Sequence, residues 1–369
     1  MPPNTGFLEQ LERAKAAPYA LSREELVSLL GLRDGSSRAA FLSAAYDVKL
    51  RQTGRKVFLR GLLETGNVCA KNCFYCGLRR GNGNVHRYEI PEEDVLRMAR
   101  WAWEHRYGSV VLQSGEIESP AFTERIGRIV RAIRALAPEE ELAIVLSCGE
   151  QSEDTYRCWR EAGATRYLLR IETSNPKLYE TLHPADHSWE RRRDCLRTIR
   201  RLGYQMGSGV MIGLPGQTLG DLADDLAFFR DEDVAMIGMG PFIPHPDTPL
   251  GSVRVDEREQ LRLGVNMVAA ARLFLHDRNI AATTALQNLA PDGREQALLA
   301  GANVVMPNVT DLAYREDYQL YQKPVVDEVS GHGRAPSIEE RIAAIGEEIA
   351  WDTPGTSPHV LSTPASHQP

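Results

Sequence analysis

No apolar run in this chain is long enough to cross a bilayer, and its first residues, Met1-Pro2-Pro3-Asn4-Thr5, lack the apolar centre of a signal peptide. Cysteine is scarce: six in 369 residues do not make a disulfide framework. An excess of positive charge is missing as well. The formal net charge of −7 argues against nucleic-acid and membrane-surface partners. These absences together predict a protein of the reducing cytoplasm. The sequence carries no internal repeat and no interdomain linker. What is present is the balance of an ordinary globular protein, 43% hydrophobic and 25% charged residues. The length suits two average domains or one large α/β barrel.

Residues 1–55 read as an N-terminal helical extension. Ser22-Arg23-Glu24-Glu25 has the form of a capping box ahead of Leu26, Leu29 and Leu30. A further helix is predicted over Ser37–Arg51, with Ala40, Phe41, Ala44 and Val48 on one face. From Val57 onward, short apolar runs alternate with amphipathic stretches. Strands are predicted near Val57–Glu64, Ser109–Gln113, Leu142–Ser147, Arg166–Ile171, Tyr204–Ile212, Ala235–Gly240, Ile280–Thr284 and Asn303–Met306. Helical patterns lie between nearly all of them, as in Pro91–His105 with Glu92 and Glu93 in its first turn. Eight such units predict a complete (β/α)8 TIM barrel over residues 56–350. Residues 351–369, rich in Pro, Ser, Thr and His, read as a mobile, dispensable tail.

In such a barrel the functional groups collect in the loops after the strands. The loop after the first strand holds Cys69, Cys73 and Cys76, spaced C-x3-C-x2-C, with no fourth cysteine before Cys148. Thiolates this close can converge on one soft metal centre. A four-iron cluster held by three cysteines keeps one iron open for a small molecule, much as a catalytic zinc keeps an open position. The rival reading is zinc, with His86 as fourth ligand, although zinc sites more often pair C-x2-C units. A disulfide would require an oxidising compartment.

Other strand ends carry weaker signals. Ser114-Gly115-Glu116 offers backbone groups and a carboxylate, although such a triplet alone is usually a turn. Arg170-Ile171-Glu172-Thr173 puts charges at the rim, with Arg191 in the following helix as a partner for Glu172 or for a substrate carboxylate. Arg166 and Arg170 share one strand face, so they bind an anion if that face is the lumen and are structural if it is not. Met211–Thr218 reads as strand, tight turn and helix start. Thr283, Thr284, Met306 and Tyr318 also fall toward the mouth; singly, each is ordinary packing.

The cysteine spacing is the signature of the radical S-adenosylmethionine enzymes, and the longer strings resemble one family among them, the HydE maturases of [FeFe]-hydrogenase. The resemblance is carried by Gly66–Asn82 with Arg87-Tyr88, Val111–Glu116, Glu161–Asn175, Gly213–Asp225, Gly240–Leu250, Ala282–Ala285, Gly301–Asn308 and Tyr318–Tyr321. It implies a complete barrel with a [4Fe–4S] cluster on Cys69, Cys73 and Cys76. The open iron would bind the amino and carboxylate groups of S-adenosylmethionine, and an electron from the cluster would split the sulfonium to a 5′-deoxyadenosyl radical. Gln113, Ser114, Gly115, Glu116, Glu172, Arg191 and Met236 would surround S-adenosylmethionine. Arg166, Arg170, Thr283, Thr284, Met306 and Tyr318 would line the substrate cavity, with Tyr318, Arg170 and Met306 as catalytic candidates. The implied substrate is an iron complex carrying carbon monoxide, cyanide and cysteine. A reducing electron donor and a maturation scaffold protein are the implied partners. The chain departs from some members in having no cysteine after Cys195, where they carry an accessory cluster, and in Ile171, where they have histidine. The alternatives are an amino-acid mutase like methylornithine synthase and a non-catalytic iron–sulfur carrier.

Overall fold

The computed structural model describes residues 3–33, 35–321 and 336–362. Among the described residues there are eleven strands: β1 (Lys56–Gly66), β2 (Ser109–Ser114), β3 (Ala143–Ser147), β4 (Arg166–Leu168), β5 (Gln205–Ser208), β6 (Met211–Ile212), β7 (Met236–Ile237), β8 (Gly240–Pro241), β9 (Asn279–Ile280), β10 (Val304–Val305) and β11 (Glu348–Ile349). All their pairings are parallel, and the main sheet runs β10-β1-β2-β3-β4-β5-β7-β9. Its two edges then meet. Ala281 bridges Val304, Asn303 N donates to Ile280 O at 2.9 Å, and Ala282 N donates to Val304 O at 2.8 Å. Eight strands therefore close on themselves as the complete barrel predicted from the sequence, and closure joins the two outer strands of that sheet.

Helices wrap the outside, and several begin or end on local chemistry. Glu92–Glu104 carries Glu92, Glu93 and Asp94 in its first turn, where the helix dipole favours negative charge. Ser119 and Ser152 cap the helices Pro120–Leu136 and Glu153–Ala162, and the second of these ends on Gly163 at φ 116°. The expected strand Tyr204–Ile212 is two strands instead of one. At Gly209 an added Cβ would lie 1.9 Å from Gly238 O, so the chain changes course there. β6 then pairs with β8 in a separate two-stranded sheet.

Three helices make the N-terminal extension: Thr5–Ala16, Arg23–Leu30 and Ser36–Thr53. The Ser22–Glu25 capping box is present. Leu26, Leu29, Leu30, Phe41, Ala44 and Val48 are buried in the same core as the barrel helices, so the extension is part of one body. At the other terminus, the expected mobile tail is ordered as far as residue 362 and packed on the barrel over residues 353–359. Its segment 353–357 crosses the N-terminal end of the barrel. Arg166 donates to Pro354 O and to Thr356 Oγ1, Asn279 Nδ2 donates to Gly355 O at 2.8 Å, and Ser357 is fully buried. Buried donors satisfied by main-chain carbonyls hold this segment, and composition carries no trace of such anchors. Residues 363–369 of the expected tail lie outside the described residues. Among the described residues no helix is long and apolar enough to cross a membrane.

Candidate functional site at the barrel mouth

The cysteine loop follows β1 and is fixed by its own polar residues. Asn67, fully buried, donates to His86 O at 2.8 Å and Asp317 O at 2.7 Å, while its Oδ1 accepts from Tyr88 N at 2.9 Å. The Arg87 guanidinium donates to the carbonyls of Asn67, Leu78, Arg79 and Asn82. His187 Nε2 accepts from Asn72 N at 3.0 Å, just ahead of Cys73. The loop after β2 presses on this one from the side. A Cβ on Gly115 would stand 2.1 Å from Val68 O, Ala70 N donates to Glu116 O at 2.8 Å, and Glu116 N approaches Cys69 Sγ at 3.4 Å. Only glycine permits that contact.

Cys69, Cys73 and Cys76 are free and face one cavity of about 340 Å³. Burial pushes all three thiols up, Cys73 to about 12. A bound metal draws the proton from thiols of this kind. Zinc is poorly served. His86 is largely exposed and turns its Nδ1 to Asp317 at 2.9 Å, and among the described residues no three His, Cys, Asp or Glu groups converge on one ion. A [4Fe–4S] cluster instead spreads its cysteines over separate irons.

The same cavity collects Gln113, Ser114, Gly115, Glu116, Arg170, Glu172, Thr283, Thr284, Met306 and Tyr318 from the ends of four strands, β2, β4, β9 and β10. Gln113 Nε2 donates to the buried Tyr318 hydroxyl at 3.2 Å. Thr283 Oγ1 donates to Met239 O, and Thr284 Oγ1 accepts from Arg294. Glu172 sits at φ 69°, a conformation costing on the order of 1–3 kcal/mol in a non-glycine residue. It is held there by Glu172 N on Gly209 O at 3.0 Å and Met211 N on Glu172 O at 2.9 Å. Its Oε2 lies 3.0 Å from Arg170 Nη2, yet the two are not aligned to share a hydrogen bond. Glu172 Oε2, Arg170 Nε and Arg170 Nη2 are left buried and without hydrogen-bond partners. Buried groups of both signs that make no hydrogen bond beside a cavity fit a zwitterionic ligand carrying amino and carboxylate groups.

A charge network that sequence reasoning missed lies behind Glu116. Lys71 Nζ stands 3.1 Å from Glu116 and 2.9 Å from Glu150, and Arg192 stands 2.8 Å from Glu150 and 3.8 Å from Glu116. Arg192 Nη1 also donates to Arg170 O at 3.0 Å. Burial raises the Glu116 carboxyl. Burial also presses on Glu150, but Arg192 and Lys71 outweigh it and hold Glu150 below its usual value. Of the two neighbouring arginines, Arg192 lines the cavity, and the expected Arg191 needs correction. Arg191 is half-exposed, binds Glu118 at 2.8 Å and reaches Glu150 at 3.4 Å. The signal was available: Arg192, Cys195, Leu196 and Ile199 repeat at helical spacing and form the buried face of Trp189–Arg201.

Two more expected residues fall elsewhere. Met236 does not reach the cavity; it packs in the lumen with Val111 and Val145, and its Sδ accepts from Arg60 Nη1 at 3.1 Å. Arg166 faces inward like Arg170 but at the far end of the barrel, on Pro354 and Thr356, because four residues of extended chain separate the two. Arg60 was overlooked, although Arg60, Leu62 and Glu64 alternate along β1 and the latter two line the cavity.

Residues 63–229 match the Radical SAM superfamily. The chain is 42% identical over 349 residues to the [FeFe] hydrogenase maturase subunit HydE of Thermotoga maritima, covering 95% of this chain and 96% of that protein. It is 27% identical to 3-methylornithine synthase of Methanosarcina barkeri, over 78% of this chain and 79% of that one. Among solved structures, methylornithine synthase superposes with a TM-score of 0.78 at 23% identity, covering 94% of this chain and 98% of that one. The maturase HydG from Carboxydothermus hydrogenoformans superposes at 0.75 and 17% identity, covering 94% and 79%. At those identities the structural likeness establishes the fold, whereas the sequence identity to the Thermotoga protein establishes descent. The chain belongs to the radical S-adenosylmethionine superfamily and, within it, to the HydE family.

Proposed function

We propose that this enzyme reductively cleaves S-adenosylmethionine above a small anionic, sulfur-bearing substrate, the cysteine-ligated iron carbonyl cyanide precursor used in [FeFe]-hydrogenase maturation. The observation that carries this reading is the group of orphaned buried atoms on Arg170 and Glu172, in one cavity with the three cysteines. When bound, the cluster and S-adenosylmethionine together supply an electron and a carbon-centred radical. The chain's own residues do the rest. Cys69, Cys73 and Cys76 hold the cluster. Ser114, Gly115 and Glu116 bring main-chain groups and a carboxylate to the methionine end, with Glu116 steadied by Lys71 and Arg192. Glu172 Oε2 faces the Arg170 charge but accepts no hydrogen bond, so it can take one from a cationic group.

In the same cavity, Arg170 offers its Nε, which has no hydrogen-bond partner, and its Nη2, which meets only the Glu172 charge, to an anionic substrate flanked by Thr283, Thr284, Met306 and the Tyr318 hydroxyl. Tyr318, Leu320 and Tyr321 line the same space and keep water from a radical centre. A one-electron donor and a scaffold that accepts the product complete the reading. Its test is Arg170→Gln in reconstituted enzyme. Basal S-adenosylmethionine cleavage should persist, while stimulation by the substrate should weaken at least tenfold, the loss of one charged hydrogen bond of about 1.5–3 kcal/mol. Full substrate stimulation in the variant would remove Arg170 from the substrate site.

A further inference from the structure

A second pocket, of about 530 Å³, lies not at the cysteine mouth but at the opposite end of the barrel. It is entered past the N-terminal ends of β4, β5 and β7, and Thr356, His359 and Val360 of the C-terminal segment form one wall. Its lining is rich in donors that have nothing to donate to. Thr165 is 8% exposed, and its hydroxyl has no hydrogen-bond partner. Arg160 Nε and Gln205 Nε2 are likewise buried and unpartnered. Arg166 forms the inner wall, its guanidinium already held by Pro354 O and Thr356 Oγ1, and Arg200 stands at the rim with Nη1 on Glu232 O at 3.2 Å.

Two carboxylates also line the space. Asp233 is taken by His359 Nε2 at 2.7 Å and Arg278 Nη2 at 3.3 Å, and Glu139 is exposed to solvent. Three guanidinium groups thus face one uncommitted carboxylate. Arg160 is steadied for this by its position 5.9 Å over the Tyr204 ring. An unpaired hydroxyl, an unpaired amide and planar forked cations together form a receptor for oxygen anions.

We propose that this pocket binds a small anion of the phosphate or carboxylate class, seated among Arg160, Thr165, Arg166 and Gln205. Because Thr356 and His359 lie on its wall, the bound anion also fastens the C-terminal segment across the barrel floor. The site is independent of the radical chemistry at the other end, so it stands or falls separately from the proposed function.

The test is calorimetric titration of the reconstituted full chain with inorganic phosphate and, in a second arm, with citrate. Each is repeated on Arg160→Gln and Thr165→Val, which lie outside the cysteine cavity, and on Arg200→Gln should either fail to fold. The expected result is saturable binding of one or both anions, weakened at least tenfold in the variants. Amide exchange in residues 353–362 should slow when the anion is present, and S-adenosylmethionine cleavage should be unchanged. Phosphate binding without citrate binding would assign the phosphate class, and the reverse the carboxylate class. No saturable binding of either, or equal affinity in all variants, would overturn the proposal.

Discussion

Single residues decide whether the mouth can assemble. Gly115 is where two loops touch, and its missing side chain leaves room for Val68 O and the Cys69 side chain. Gly115→Ala should displace the cysteine loop, destabilise the fold by about 1–3 kcal/mol and lower cluster content. Iron and sulfide assays after reconstitution, with a thermal melt, check this; full cluster loading at an unchanged midpoint would contradict it. Asp225 is a second test at this scale. It is fully buried, its Oδ1 accepts from Ser174 N in the turn just past Glu172, and its Oδ2 has no partner. Burial, aided by Asp221 and Asp224 and opposed by the Ser174 bonds, raises its carboxyl to about 7. A carboxyl whose folded value lies above its unfolded value stabilises the fold when protonated. That contribution is complete below about pH 4 and lost as the pH rises to about 7. Asp225→Asn should remove this titration, and with it on the order of 3–4 kcal/mol of pH dependence. Urea melts between pH 4 and 8 read the difference, and parallel profiles for variant and parent would refute it.

At the scale of elements, the alternation of apolar runs and helical patterns carried the barrel. Each of the eight expected strands corresponds to a barrel strand, because parallel strands covered by helices are apolar along most of their length. What the pattern could not show was where strands stop. Tyr204–Ile212 breaks at Gly209 because Gly238 passes against it, a contact between segments far apart in sequence. The packed C-terminal segment was invisible for the same reason: it is held by carbonyls facing Arg166 and Asn279. Another long-range tie joins the helix Ser36–Thr53 to the residue before β11. Lys49 and Glu347 form an ion pair with both side chains fully buried, and Tyr46 donates its hydroxyl to the same carboxylate. Glu347→Ala leaves that cation buried alone and should cost about 3–5 kcal/mol, whereas the double replacement Lys49→Met with Glu347→Leu should be close to neutral. Equal losses from single and double variants in denaturant melts would show that packing, and not charge, makes this tie.

Over the whole molecule, the barrel has two differently built ends. One gathers three cysteines, a paired-charge network and orphaned polar atoms around a lined cavity. The other is closed by a segment of main chain and rimmed by arginines. The cysteine end was legible because its three cysteines sit in one short loop and its other groups follow strand ends. The roles of Lys71, Glu150 and Arg192 were not, since each matters only through partners brought from other loops. Arg166 and Met236 were drawn to the wrong depth for a related reason: strand alternation fixes a face but not a height along the lumen.

The central claim is that the three cysteines hold a cluster that cleaves S-adenosylmethionine. Anaerobic reconstitution with iron and sulfide, then reduction with dithionite in the presence of S-adenosylmethionine, tests it directly. The account predicts a [4Fe–4S] paramagnetic resonance signal that shifts with S-adenosylmethionine, release of 5′-deoxyadenosine, and loss of both in Cys73→Ala. A protein that loads zinc in place of a cluster, or a Cys73→Ala variant that still releases 5′-deoxyadenosine, would contradict it.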